Sequence, residues 1–205
     1  MNLAYLPNTI SLARIFLAGM VFYYINHGSW FMASVIFWLA ILSDILDGFL
    51  ARKLNVASNI GGLFDHGSDA IFVTLTTASL SYHGYAPHAL AIIIPIAFLQ
   101  YMLDSKTLSG QPLRASYLGR YNGIAYYLFA GFPIMQMVSG IVLIPFDWFI
   151  WVGWGLVVST LISIIDRLAT LLSSRLFDKQ LPIGSREKNQ PDSGIKDNKE
   201  RVHDQ

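Results

Sequence analysis

Asp44-Ile45-Leu46-Asp47-Gly48-Phe49-Leu50-Ala51-Arg52, eight further residues, and then Gly61-Gly62-Leu63-Phe64-Asp65-His66-Gly67-Ser68-Asp69 decide the reading of this chain. Four carboxylates fall within 26 residues of an otherwise apolar sequence. Carboxylates are costly in hydrocarbon and mark function where they persist. Asp44 and Asp47 are three apart, and Asp65 and Asp69 four apart, so each pair shares one face of a helix. Gly48 and Ala51 continue the first face with almost no side chain, which lets a bulky ligand reach the backbone. The link between the two helices is short, so they are expected to be antiparallel neighbours whose carboxylates converge in one cavity.

Close carboxylates repel one another and need counter-charge. Oxygen donors of this kind suit Mg2+ or Mn2+, completed by a pyrophosphate-bearing substrate. There is no cysteine, which removes thiolate zinc sites, disulfides and cysteine nucleophiles. The residues by themselves leave an enzyme and a cation-coupled transporter both open. A transporter needs access from both faces, whereas these acids cluster at one end of their helices.

Outward from the motif, the chain is 54% hydrophobic and only 13% charged. Soluble domains carry about 25% charged residues, so a polytopic membrane protein is expected. The N-terminus lacks the basic start and cleavage pattern of a signal peptide, and its first apolar stretch is read as a retained helix. Six membrane-spanning helices are predicted at 8–26, 30–51, 60–82, 87–105, 118–142 and 147–174. Asn26-His27-Gly28-Ser29, His83-Gly84-Tyr85-Ala86-Pro87 and Ile144-Pro145-Phe146-Asp147 supply the breaks. Pro95 and Pro133 fall inside spans and are expected to kink them. Gly119, Gly123, Gly131 and Gly140 are read as points of close helix approach.

Arg52 and Lys53 follow span 2, Lys106, Arg114 and Arg120 surround the link between spans 4 and 5, and Arg167, Arg175 and Lys179 end span 6. The other three links contain neither Lys nor Arg, so both termini are expected in the cytoplasm. Residues 1–177 read as one all-α transmembrane domain and 178–205 as a disordered cytoplasmic tail. The net charge of +1 gives no pull toward nucleic acid.

As a pattern the opening stretch reads D-x2-D-G-x2-A-R-x8-G-x3-D-x3-D, which resembles the signature of the CDP-alcohol phosphatidyltransferase family at every fixed position. Pro7-Asn8-Thr9-Ile10-Ser11-Leu12-Ala13-Arg14 is similar to the opening of bacterial phosphatidylglycerophosphate synthases. The resemblance implies transfer of a substituted phosphate from a CDP-linked lipid donor to an alcohol, with release of CMP. It implies two Mg2+ or Mn2+ ions on Asp44, Asp47 and Asp65, with Asp69 as the base and a further metal contact. It sets Asn8, Asp44, Gly48, Ala51, Arg52 and Gly61 against the CDP moiety. Lys106, Arg114, Arg120 and His66 are the candidates for the acceptor, with glycerol 3-phosphate favoured. Arg14 is expected to pair with a site carboxylate. The resemblance further implies a homodimer in the bacterial inner membrane with its site facing the cytoplasm.

One departure keeps a second substrate class open. Phosphatidylglycerophosphate synthases commonly carry Lys after the fourth Asp, where this chain has Ala70. Phe64-Asp65-His66-Gly67-Ser68-Asp69 is also similar to choline and ethanolamine phosphotransferases, which use a soluble CDP-alcohol and diacylglycerol.

Overall fold

The structure is a computed structural model. It describes the backbone of residues 6–53, 59–104 and 117–180, and the side chains of 9–50, 53, 61–103 and 118–170. Among the described residues there are six helices and no strand: α1 (Leu6–Asn26), α2 (Trp30–Lys53), α3 (Asn59–Tyr82), α4 (His88–Asp104), α5 (Tyr117–Ser139) and α6 (Phe146–Gln180). The chain divides into residues 1–168 and residues 169–205. Of the latter, the described part is the end of α6, which continues past 177 to Gln180.

Glycine chemistry sets three of the helix ends. Gly28, Gly84 and Gly140 have φ of 70°, 79° and 68°, a left-handed conformation that side-chain-bearing residues adopt at a cost. After α1 and α3, the chain closes with Ser29 N donating to Tyr24 O and Tyr85 N to Leu80 O, the six-residue return that satisfies terminal carbonyls. At Gly140 the turn stops α5 at Ser139, three residues before the predicted end. The Gln136 side chain then bridges the break: Ile144 N donates to its Oε1 at 2.7 Å, and its Nε2 donates to Ile144 O at 3.0 Å. Pro95 and Pro133 lie inside α4 and α5 as expected.

Within residues 1–168, α1 packs against both α2 and α3, α3 also packs against α4 and α5, and α2 packs against α5. The expected side-by-side pairing of α2 and α3 is not among these principal contacts; α1 is the element common to both. Polarity is arranged inside out. Leu12, Phe16, Phe31, Leu103 and Trp151 are mostly exposed, while Arg14, Asp47, Ser68, Thr76 and Ser79 are buried. Such a surface fits hydrocarbon as the surrounding solvent, with polar groups satisfied within.

Among the described residues, three helices are long and apolar enough to cross a membrane, over Thr9–Asn26, Trp30–Leu50 and Phe146–Thr170. The apolar part of α4, His88–Leu103, is shorter. Asp65 and Asp69 dilute α3, and Arg120 with Asn122 dilutes α5. Of the glycines read as contact points, Gly131 is one: a Cβ there would lie 3.0 Å from the Phe37 ring. Gly123 and Gly140 face open space. A tighter approach is elsewhere, at Gly153 of α6, where a Cβ would run into the Pro87 ring.

Candidate metal and nucleotide site

Arg14 organises the site from α1. Its side chain is fully buried, at 0% exposure, among acids from two other helices. Nη2 donates to Asp47 Oδ2 at 2.7 Å and lies 3.4 Å from Asp44 Oδ1, both on α2. Nη1 donates to Asp65 Oδ1 at 2.9 Å and to Asp69 Oδ1 at 2.7 Å, both on α3. Nε donates to Ser43 Oγ at 3.3 Å, and Nη1 also to Ser68 Oγ at 3.1 Å. The planar fork of the guanidinium makes this possible, since its donors diverge in fixed directions. The expected pairing of Arg14 with one carboxylate is therefore a pairing with all four.

The helices bring together what the spacing suggested. Oxygens of Asp44, Asp47 and Asp65 can lie within 4.8 Å of one another, and so can ligand atoms of Asp65, His66 and Asp69. Asp47 is buried, and its Oδ1 has no hydrogen-bond partner. Its Oδ2 also accepts a bond from Ser11 Oγ at 3.4 Å. Asp69 Oδ1 accepts a second bond from Tyr127 Oη of α5 at 2.9 Å. The Tyr127 ring is stacked on Phe72, with centroids 6.0 Å apart, and lies 6.2 Å from Phe37. Asp69 thus meets two donors that approach from different helices.

Beside the carboxylates opens a cavity of about 410 Å³, a size suited to a small ligand. Asp44, His66 and Asp69 line it, as do Arg120, Asn122 and Arg167. The Arg167 guanidinium lies over the Tyr101 ring at 4.7 Å, a cation–π geometry. Asn122 Oδ1 accepts from Ser159 Oγ at 2.7 Å, while its buried Nδ2 has no partner. Ala70 is in the lining, so the position after the fourth Asp presents a methyl group to the cavity.

Not every predicted residue can be located. Lys106 and Arg114 lie outside the described residues, as do the side chains of Asn8, Ala51 and Arg52. Gly48 is half-buried one position after Asp47, and Gly61 is half-buried in the first turn of α3. Arg120 and His66 reach the cavity and are exposed. Arg167, Tyr127 and Asn122 were missed as site residues. In the sequence Arg167 reads as a topology charge at the end of span 6. No spacing singles these three out: Asn122 stands two residues after Arg120, on a different helix face, and Arg167 is on another span.

The chain is similar to a CDP-diacylglycerol–glycerol-3-phosphate 3-phosphatidyltransferase of Aquifex aeolicus. The two are 32% identical over 76 residues, which is 37% of this chain and 43% of that protein. An enzyme of the same name from Mycoplasma genitalium is 31% identical over 124 residues, 58% of this chain and 46% of that protein. Human cardiolipin synthase (CMP-forming) is 37% identical over 90 residues, 43% of this chain and 30% of that protein. The chain thus spans less than half the length of each of these relatives. The model of the CDP-alcohol phosphatidyltransferase family matches residues 4–166, which hold every described element of the carboxylate site. The chain belongs to the CDP-alcohol phosphatidyltransferase family.

Proposed function

We propose that the chain is a metal-dependent CDP-alcohol phosphatidyltransferase of phospholipid synthesis, taking a phosphatidyl group from CDP-diacylglycerol. The observation that carries this is the gathering of Asp44, Asp47, Asp65 and Asp69 around one guanidinium, with ligand atoms of Asp44, Asp47 and Asp65, and of Asp65 and Asp69, within 4.8 Å of one another and with Asp44 and Asp69 lining the adjoining cavity. The residues fit divalent metal. A single guanidinium leaves four carboxylates with excess negative charge, and the buried Asp47 Oδ1 lacks any partner. The donors are oxygens throughout, which favours Mg2+ or Mn2+ held by Asp44, Asp47, Asp65 and Asp69. Bound there, two such ions would neutralise the donor's pyrophosphate and ease the departure of CMP.

The chain's own residues do the rest. Asp69 takes the proton of the acceptor hydroxyl as its oxygen bonds to the phosphatidyl phosphorus. The bond from that phosphorus to the bridging oxygen of CMP breaks, and CMP leaves with the electron pair. Arg14 and Tyr127 hold Asp69 Oδ1 from two sides, fixing the base before substrate arrives. Gly48 and Gly61 offer close backbone approach for the nucleotide, with Ala51 and Arg52 just after Gly48 in sequence and Asn8 assigned to it by the resemblance.

Glycerol 3-phosphate is the favoured acceptor. Its phosphate suits Arg120 and Arg167, whose forks match phosphate oxygens and which line the same cavity as Asp44 and Asp69. The names of the Aquifex and Mycoplasma relatives point the same way. An acceptor that is itself a phospholipid is the second reading, favoured by the similarity to human cardiolipin synthase and by the neutral Ala70.

Six spans with both termini in the cytoplasm remain the topology that the basic residues support, with the site at the cytoplasmic ends of α2 and α3 and the tail beyond 177 outside the catalytic domain. A homodimer rests on the family resemblance. The test is CMP release by the purified chain with CDP-diacylglycerol or CDP-choline, against glycerol 3-phosphate, phosphatidylglycerol and diacylglycerol. Release with CDP-diacylglycerol and glycerol 3-phosphate supports the favoured reading. Release with CDP-choline and diacylglycerol alone overturns the donor assignment.

A further inference from the structure

Arg14 occupies the middle of the group of acids to which divalent metal is assigned above. A permanently charged side chain is costly to bury unless its donors are met. Here the guanidinium contacts all four site carboxylates at once. Two hydroxyls complete its shell, and each is fixed by its own helix. Ser43 Oγ donates to Ala40 O at 2.7 Å, and Ser68 Oγ donates to Asp65 O at 2.8 Å. Both hydroxyls are therefore turned so that their lone pairs face Arg14.

From this geometry we infer that Arg14 is the built-in counter-ion of the metal-free site. It is a positioning residue that keeps the four carboxylates gathered until metal enters and then yields them. The inference rests on the metal reading above. Without a cation, four acids from two helices would repel one another and spread apart. With Arg14 among them, the ligand set is preformed. Its contacts are also what an entering cation must take over, because Asp47 Oδ2, Asp65 Oδ1 and Asp69 Oδ1 all accept bonds from it. Two cations on the same oxygens repel at close range. Ser43 and Ser68 leave the guanidinium two neutral acceptors as the carboxylates turn to metal. Arg14 thus lowers metal affinity while stabilising the metal-free fold, a combination that a merely structural ion pair does not produce.

The experiment measures Mn2+ binding to the full chain in detergent, by the electron paramagnetic resonance signal of free Mn2+. Thermal unfolding is followed in EDTA and in Mn2+. Wild type is compared with Arg14→Met and Arg14→Lys. Arg14→Met is expected to bind Mn2+ at least about tenfold more tightly, since a neighbouring positive charge has been removed. Its unfolding midpoint is expected to fall in EDTA and to recover with Mn2+ by more than the wild-type increment. A variant that folds only in Mn2+ also supports the inference. If Arg14→Met folds in neither medium, Arg14→Lys decides, because one ammonium cannot reach four acids: tighter Mn2+ binding than wild type supports the inference, and unchanged binding overturns it. Equal or weaker Mn2+ affinity in Arg14→Met, with the same loss of stability in both media, overturns this inference alone. Mn2+ binding to none of the three proteins overturns the metal reading and this inference with it.

Discussion

Replacing Tyr127 by Phe removes one hydroxyl from the site and little else. The ring is held by its stack on Phe72 and its contact with Phe37, both of which Phe preserves. What disappears is the 2.9 Å bond from Oη to Asp69 Oδ1. A hydrogen bond to an ionised group contributes about 1.5–3 kcal/mol, roughly twice a neutral one. If that bond serves to hold Asp69 where the acceptor hydroxyl must approach, its loss is expressed in turnover. The expected fall in kcat is then about ten- to a hundredfold, since ~1.4 kcal/mol corresponds to a factor of ten. Asp69 is still held by Arg14 in the metal-free site, at 2.7 Å, and by the cation that takes over that contact, so the carboxylate stays in place and the fold stays intact. The KM for the CDP-linked donor is expected to change little. The assay is initial-rate CMP release at saturating donor, alongside the unfolding midpoint of the same preparation. Wild-type kcat in Tyr127→Phe would refute the role given to this bond. A fall in activity that merely tracks a fall in folded protein would refute it equally.

Three further outcomes are expected. Arg120→Ala should raise the KM for glycerol 3-phosphate about tenfold or more while leaving the donor KM unchanged, the loss of one charge-assisted contact to phosphate; initial rates over a range of acceptor check it. Gly153→Ala should lower stability by about 1–3 kcal/mol, because the new methyl meets the rigid Pro87 ring and one element must shift; thermal unfolding in detergent measures it, and activity per folded molecule should be retained. EDTA should abolish CMP release, and added Mg2+ or Mn2+ should restore it.

Much of the helical frame was legible from local chemistry. Helix ends at Asn26 and Tyr82 follow from Gly28 and Gly84, whose backbone conformation turns the chain whatever the surroundings. The end of α5 was placed three residues late because Gly140 was read as a packing glycine inside the span, whereas its left-handed turn stops the helix and Gln136 bridges the break to Ile144. In the site, spacing alone put Asp44 with Asp47 and Asp65 with Asp69. It did not reveal which helix joins the two pairs. A short link suggested that α2 packs on α3, yet α1 packs on both and delivers Arg14 between them. Tyr127 and Arg167 were invisible for a related reason: an aromatic residue and a terminal basic residue are ordinary in a membrane helix, and only the packing of α5 and α6 brings them to the cavity. Gly153 likewise looks like any small residue until Pro87 is found against it.

The transfer chemistry assigned to the four acids is tested most directly by CMP release from CDP-diacylglycerol and glycerol 3-phosphate in MgCl2, comparing wild type with Asp69→Asn. Asn keeps the shape of the side chain and an oxygen for Arg14 and Tyr127 but cannot take a proton. Turnover by the variant should fall by about a hundred- to ten-thousandfold, the usual contribution of a general base, while the protein remains folded. Wild-type turnover in Asp69→Asn, or no Mg2+-dependent CMP release by the wild-type chain, would contradict it.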